Sequence, residues 1–95
     1  MTTSKKDYIR DVEETLQKWN DRLDELAVEV KTTAPERRHE LESLIVTIIE
    51  NRNFIEMQVK ALKKSGDSWL NLRESVESAA KNIDANYRSA LAYIM

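Results

Sequence analysis

Residues 9–30 read IRDVEETLQKWNDRLDELAVEV, with apolar side chains at Ile9, Val12, Leu16, Trp19, Leu23, Leu26 and Val30. The steps alternate between three and four, the spacing that lays one apolar seam along a helix packed at a shallow angle on its neighbours. A first helix is therefore expected over about residues 4–31. Thr32-Thr33-Ala34-Pro35-Glu36 follows, with a hydroxyl at Thr33, an acid three residues later and a proline where a missing amide hydrogen costs nothing. A second helix is expected to start there and run over about 34–64, with the seam Leu41, Ile45, Ile48, Arg52, Ile55, Val59 and Leu62. Ser65-Gly66 should end it through a left-handed glycine. Asp67 or Ser68 then caps a third helix over about 68–94, whose seam is Trp69, Leu72, Val76, Ala79, Ile83, Tyr87, Ala90 and Ile94.

At ~1.5 Å per residue these helices span roughly 40 to 46 Å each and can lie side by side without overhang. Connections of a few residues force antiparallel neighbours. The expected fold is all-α: one domain over residues 1–95, an antiparallel up-down-up three-helix bundle of coiled-coil type. Composition agrees, because one Gly and one Pro cannot supply the turns of a many-stranded sheet or a glycine-rich phosphate loop. With no Cys there is no disulfide frame or thiolate nucleophile, and His39 alone cannot build a His-rich zinc site.

The net charge of -2 comes from 15 basic and 17 acidic side chains, interspersed along the whole chain. No stretch forms the basic stripe that counterion release at a phosphate backbone requires, so nucleic acid is not an expected partner. Lys60, Lys63 and Lys64 read as cations at the negative end of a helix dipole. The longest apolar run, Leu44 to Ile49 around Thr47, falls far short of the ~20 residues of a membrane span. Met1-Thr2-Thr3-Ser4-Lys5-Lys6 leads into charged residues without an apolar core, so a cytoplasmic location is expected. Acid-first pairs four apart, Glu14 with Lys18, Glu56 with Lys60, Glu77 with Lys81 and Asp84 with Arg88, read as solvated helix faces.

Tyr8-x-x-x-Val12, Leu16-x-x-Trp19-Asn20-x-x-Leu23-x-x-Leu26 and the later Trp69-x-x-Leu72-Arg73-x-x-Val76-Glu77-x-Ala79 resemble a family of small bacterial coiled-coil proteins labelled stress-response. The resemblance spans nearly the whole chain. It implies a three-helix fold and a stress setting, and it brings no catalytic residues. The chain departs from the family at Ile83, where a second aromatic is frequent, and at Ser75, near which a glycine is frequent. A spectrin-type repeat is more weakly similar, through its tryptophan in the middle of the first helix.

Several constellations bear on chemistry. Glu36-Arg37-Arg38-His39 has the Glu-x-x-His spacing of di-metal bundles, but one chain holds one such motif and a site would require a symmetric dimer. A small helical mutase of the chorismate type needs several cations converging on a dicarboxylate. Here only Arg52 lies on a seam, while Arg10, Arg22 and Arg73 lie off them. Arg52 should bury its stem and reach Glu13, Glu14 or Glu77 from a level near Leu16 and Ala79 or Ala80. Trp19 and Trp69 sit on seams and read as core and end plug.

The second helix carries a feature that its seam does not use. Val46, Phe54, Met57 and Ala61 project more than about 100° away from the seam and form an apolar stripe that a monomeric bundle leaves wet. The expected function is therefore non-enzymatic: a bundle that binds itself, as a weak homo-oligomer, or another protein, with no cofactor. The alternatives are a peripheral membrane-surface binder, disfavoured by the acids mixed among the bases, and a small helical enzyme of the mutase or di-metal kind.

Overall fold

The computed structural model describes residues 4–66 and 69–94. Three helices account for nearly all of them: α1 over Lys5–Thr32, α2 over Pro35–Lys64 and α3 over Trp69–Ile94, of 28, 30 and 26 residues. They pack as an all-α three-helix bundle measuring 49 × 21 × 17 Å, one helix length long and two helix diameters across.

The seams meet in one core. Ile9, Val12, Leu16, Trp19 and Leu26 enter it from α1, Leu41, Ile48, Ile55, Val59 and Leu62 from α2, and Val76, Ala79, Ile83 and Ala90 from α3. Leu23, Val30, Ile45, Leu72, Tyr87 and Ile94 are only partly buried and pack on its margin. α2 and α3 approach most closely, and α1 stands nearer α2 than α3. The alanines of α3 explain this order, since small side chains let backbones come together whereas Trp19 and Tyr8 hold α1 away. Across α1 and α2 the register is marked by Glu13 with Lys63 and Asn20 with Arg52. Between α1 and α3 it is marked by Tyr8 against Trp69, their ring centres 5.7 Å apart.

The helix ends depart from the expected chemistry. Ser4 caps α1, its hydroxyl accepting from the Asp7 amide at 3.2 Å. Thr33, expected to cap α2, is instead the last residue of the α1 turn: its hydroxyl donates back to the Glu29 carbonyl at 2.7 Å. A β-hydroxyl can satisfy a carbonyl behind it as readily as an amide ahead of it. Ala34 takes the cap position of α2 with no side-chain bond, Pro35 sits at the first helical turn as expected, and the Arg38 guanidinium donates to the Thr33 carbonyl at 3.2 Å. At the other end Gly66 does not adopt a positive φ. Ser65 closes α2 in extended geometry instead, its amide and hydroxyl both donating to the Leu62 carbonyl. Asp67 and Ser68, expected to cap α3, lie outside the described residues.

Candidate interaction surface

The outer face of α2 is where the structure leaves apolar side chains uncovered. Val46 is 52% exposed and Met57 67%, while Phe54 is 37% exposed and Ala61 half-buried. Phe54 is the least open of the first three because it leans towards α3, walling a groove with Glu50, Asn51, Ser75 and Ser78. Leu70, which the helical seams did not single out, is 54% exposed on α3. It shares a helix side with Glu74 and Ser78, at steps of four, and so faces the α2 side of the bundle. Val28 on α1 is also exposed, but it belongs to another helix.

Polar side chains frame this stripe. His39, Glu42 and Ser43 line a shallow depression with Val46 near the start of α2. Glu50 and Asn53 stand mid-helix, and Lys60 and Lys64 stand near its end, all exposed. The 3.6-residue period puts Glu42, Val46, Glu50, Asn53, Met57, Lys60, Ala61 and Lys64 on one side of α2.

Arg52 faces elsewhere, into the joint between α2 and α1. Its guanidinium donates to Asn20 Oδ1 at 2.6 Å and to Asn53 Oδ1 at 2.8 Å, with the Glu56 carboxylate 4.0 Å away. The expected partners Glu13, Glu14 and Glu77 are not the ones used. Glu13 pairs with Lys63 at 3.4 Å and Glu77 with Arg73 at 2.9 Å. The level inferred from the turns was one helical turn out, so Arg52 meets Asn20 where Leu16 was expected. The expected acid-first pairs are also not those formed among the described residues. Glu77 turns back to Arg73 rather than forward to Lys81, as exposed chains with several partners in reach can do at little cost.

Two features arise only from the fold. Lys5, Lys6, Arg10 and Lys63 come together around Ile9 and Glu13, bordering a groove of about 460 Å³ where the start of α1 passes the end of α2. Lys5 there donates to the Ser65 carbonyl. Between α1 and α3 a second groove of about 510 Å³ has Trp19, Val76 and Ala80 in its walls, with acids Asp11, Glu77 and Asp84 mixed with Lys18 and Arg22. Arg22 lies 5.1 Å from the Tyr87 ring centre and Arg73 lies 5.4 Å from that of Tyr8.

Among the described residues titration is perturbed at three groups. Burial, with help from the Glu77 carboxylate, raises the Tyr8 hydroxyl above its ordinary range, against the pull of Arg73. A hydrogen bond to Glu40 raises that of Tyr93, and one to Glu77 raises Arg73. Each follows from a neighbouring charge or from packing: Tyr8 and Arg73 share the Glu77 carboxylate at one end of the bundle, and Tyr93 stands apart from them near the end of α3. Glu36 and His39 are both exposed in the first turns of α2, and no three of His, Cys, Asp and Glu converge among the described residues. No described helix is long and apolar enough to cross a membrane. Comparison with protein-family models, with curated proteins and with solved structures finds no match.

Proposed function

We propose that this chain is a non-enzymatic interaction module whose working surface is the outer face of α2, acting in the cytoplasm on a protein partner. The observation that carries this reading is the uncovered row Val46, Phe54 and Met57, continued by Leu70 on α3, beside a core that already holds the seam residues of all three helices. Apolar side chains grouped on one side of a small helical protein mark contact surfaces more often than scattered ones do. A mutase-type site built round Arg52 is not supported, because Arg52 and the arginines off the seams that it would need are engaged separately: Arg10 with Asp7, Arg52 with Asn20, Arg73 with Glu77 and Arg22 on Tyr87. The family resemblance adds a stress-response setting to this role.

Photo-crosslinking tests the surface directly. A photoreactive residue placed at Val46 or at Met57 should give protein adducts in cells, whereas one at Asp24, exposed on α1, should not. Adducts absent from both α2 positions, or equal at Asp24, overturn the reading.

The basic end formed by Lys5, Lys6, Arg10 and Lys63 favours a second reading, a peripheral contact with anionic lipid. Flotation with phosphatidylserine vesicles separates the two. Binding that Lys6→Glu with Arg10→Glu abolishes supports the lipid reading, and no flotation removes it.

A further inference from the structure

We infer that the occupant of the α2 outer face is a second copy of this chain, lying antiparallel to the first with the two-fold axis at the level of Asn51 and Arg52. This rests on the reading of that face as the working surface and adds its partner and direction.

Charge along the face supplies the direction. Glu42 lies near the start of α2, and Lys60 and Lys64 lie near its end, all exposed. Glu42 and Lys60 are separated by 18 residues, which is about five complete turns, so they stand on the same edge of the stripe. A two-fold axis perpendicular to two side-by-side helices keeps each edge against the same edge of the partner and reverses position along the helix. Residues whose numbers sum to about 102 to 104 then meet. Glu42 comes opposite the partner's Lys60, Val46 opposite the partner's Met57, and Ser43 opposite the partner's Ala61. Near the axis the two Glu50 residues flank the centre on one edge and the two Asn53 residues on the other, so the pairing of unlike charges is carried by Glu42 and Lys60.

The pairs Glu42 with Lys60, Val46 with Met57 and Ser43 with Ala61 are matched by one operation, so one surface serves as both halves of the interface. A parallel copy would instead leave Glu42 and the partner's Lys60 about 27 Å apart along the helices, with no attraction between them. An anionic membrane would be repelled by Glu42 and Glu50 in the same row. Apolar content is modest at four side chains per copy, below what the roughly 1,200 to 2,000 Å² of a stable interface requires, so the dimer is reversible and concentration-dependent.

Sedimentation at low ionic strength over a dilution series tests this with charge exchanges. The native chain should dissociate on dilution. Glu42→Lys and Lys60→Glu should each weaken the dimer about tenfold, because each turns two attractive contacts per dimer into repulsive ones. The double exchange Glu42→Lys with Lys60→Glu should restore native association. An equimolar mixture of the two single variants should also associate like the native protein, which at the same time shows that both fold. Because the chain contains no cysteine, a second readout is available. Val46→Cys and Met57→Cys in one chain should form an intermolecular disulfide on oxidation, and neither alone should. Positions 46 and 57 lie about 16 Å apart on one helix, beyond the roughly 7 Å that a disulfide spans.

A native chain that stays monomeric throughout overturns the second copy as occupant, and crosslinks to other proteins from Val46 or Met57 would still uphold the face. A dimer that the double exchange fails to restore, or Val46→Cys bridging to itself, overturns the antiparallel arrangement. A dimer left intact by Phe54→Glu with Met57→Lys overturns both the inference and the face.

Discussion

The Arg52 guanidinium of α2 reaches across to α1 and donates to Asn20 Oδ1 at 2.6 Å, tying the middles of those two helices together. Its Nε is buried without a partner, and the side chain as a whole is only 25% exposed. A charged group is thus held in a joint that is half wet, by amide oxygens rather than by a carboxylate at contact distance.

Removing the acceptor should therefore cost more than removing the cation. Asn20→Ala should destabilise the fold by about 1 to 2 kcal/mol, since it strips a partly buried guanidinium of its best partner. Arg52→Met should be neutral or stabilising, because an apolar chain of similar length fills the joint with no charge to desolvate. Urea unfolding of both variants and of the double variant measures the coupling.

The core and the stripe should respond oppositely to truncation. Ile55 is fully buried and Ile48 nearly so, and replacing either by alanine should cost about 2 to 4 kcal/mol. Val46→Ala, on the open face of the same helix, should change the stability of a dilute sample by less than about 0.5 kcal/mol. Equal losses at Ile48 and Val46 in denaturant melts would place the core wrongly.

Gly66 offers a sharper contrast with the sequence expectation. A left-handed glycine would make Gly66→Ala destabilising. Its φ is not positive, and a Cβ there would meet nothing within 4 Å. Gly66→Ala should instead stabilise by about 0.4 to 1 kcal/mol, through the narrower conformational freedom it leaves the unfolded chain. Thermal melts of the two proteins decide the sign.

Alkaline pH should loosen the bundle through Tyr8. Its hydroxyl is raised in the folded state, first by burial and then by Glu77, so the unfolded chain gives up this proton at lower pH than the folded one. Above the ordinary tyrosine value of 10.0 the unfolded state binds fewer protons, and stability falls as pH rises through the folded-state value. Tyr8→Phe should flatten that decline in unfolding free energy measured from pH 8 to 11. Phenolate absorbance of the native protein should show a tyrosine ionising later than free tyrosine.

The helices were legible because one physical requirement repeats along each of them: a side chain every three or four residues must leave water. Ile9, Val12, Leu16, Trp19 and Leu26 show it on α1, and Trp69 plugs its end of the bundle against Tyr8 as its place on a seam implied. The ends were less legible. Thr33 had two backbone groups within reach, and the sequence does not rank them. Arg52 found Asn20 because its level depends on how two short turns seat α1 against α2, and a shift of one turn exchanges every partner. The basic end had no signal in the linear sequence, since Lys63 lies more than fifty residues from Lys5, Lys6 and Arg10 and only the fold brings them together. Leu70 has no sequence signal for a related reason: its side of α3 matters only beside α2.

The unequal spacing of the helices decides where this molecule can accept change. Ala90 is fully buried in the core, so any larger side chain there must push its neighbours apart. Ala80 borders the groove beside α1, where about 510 Å³ stands open. A lineage or a designer adding bulk to α3 therefore has a permissive position at Ala80 and a closed one at Ala90. Larger residues at Ala80 would draw α1 and α3 into firmer contact while leaving the outer face of α2 as it is.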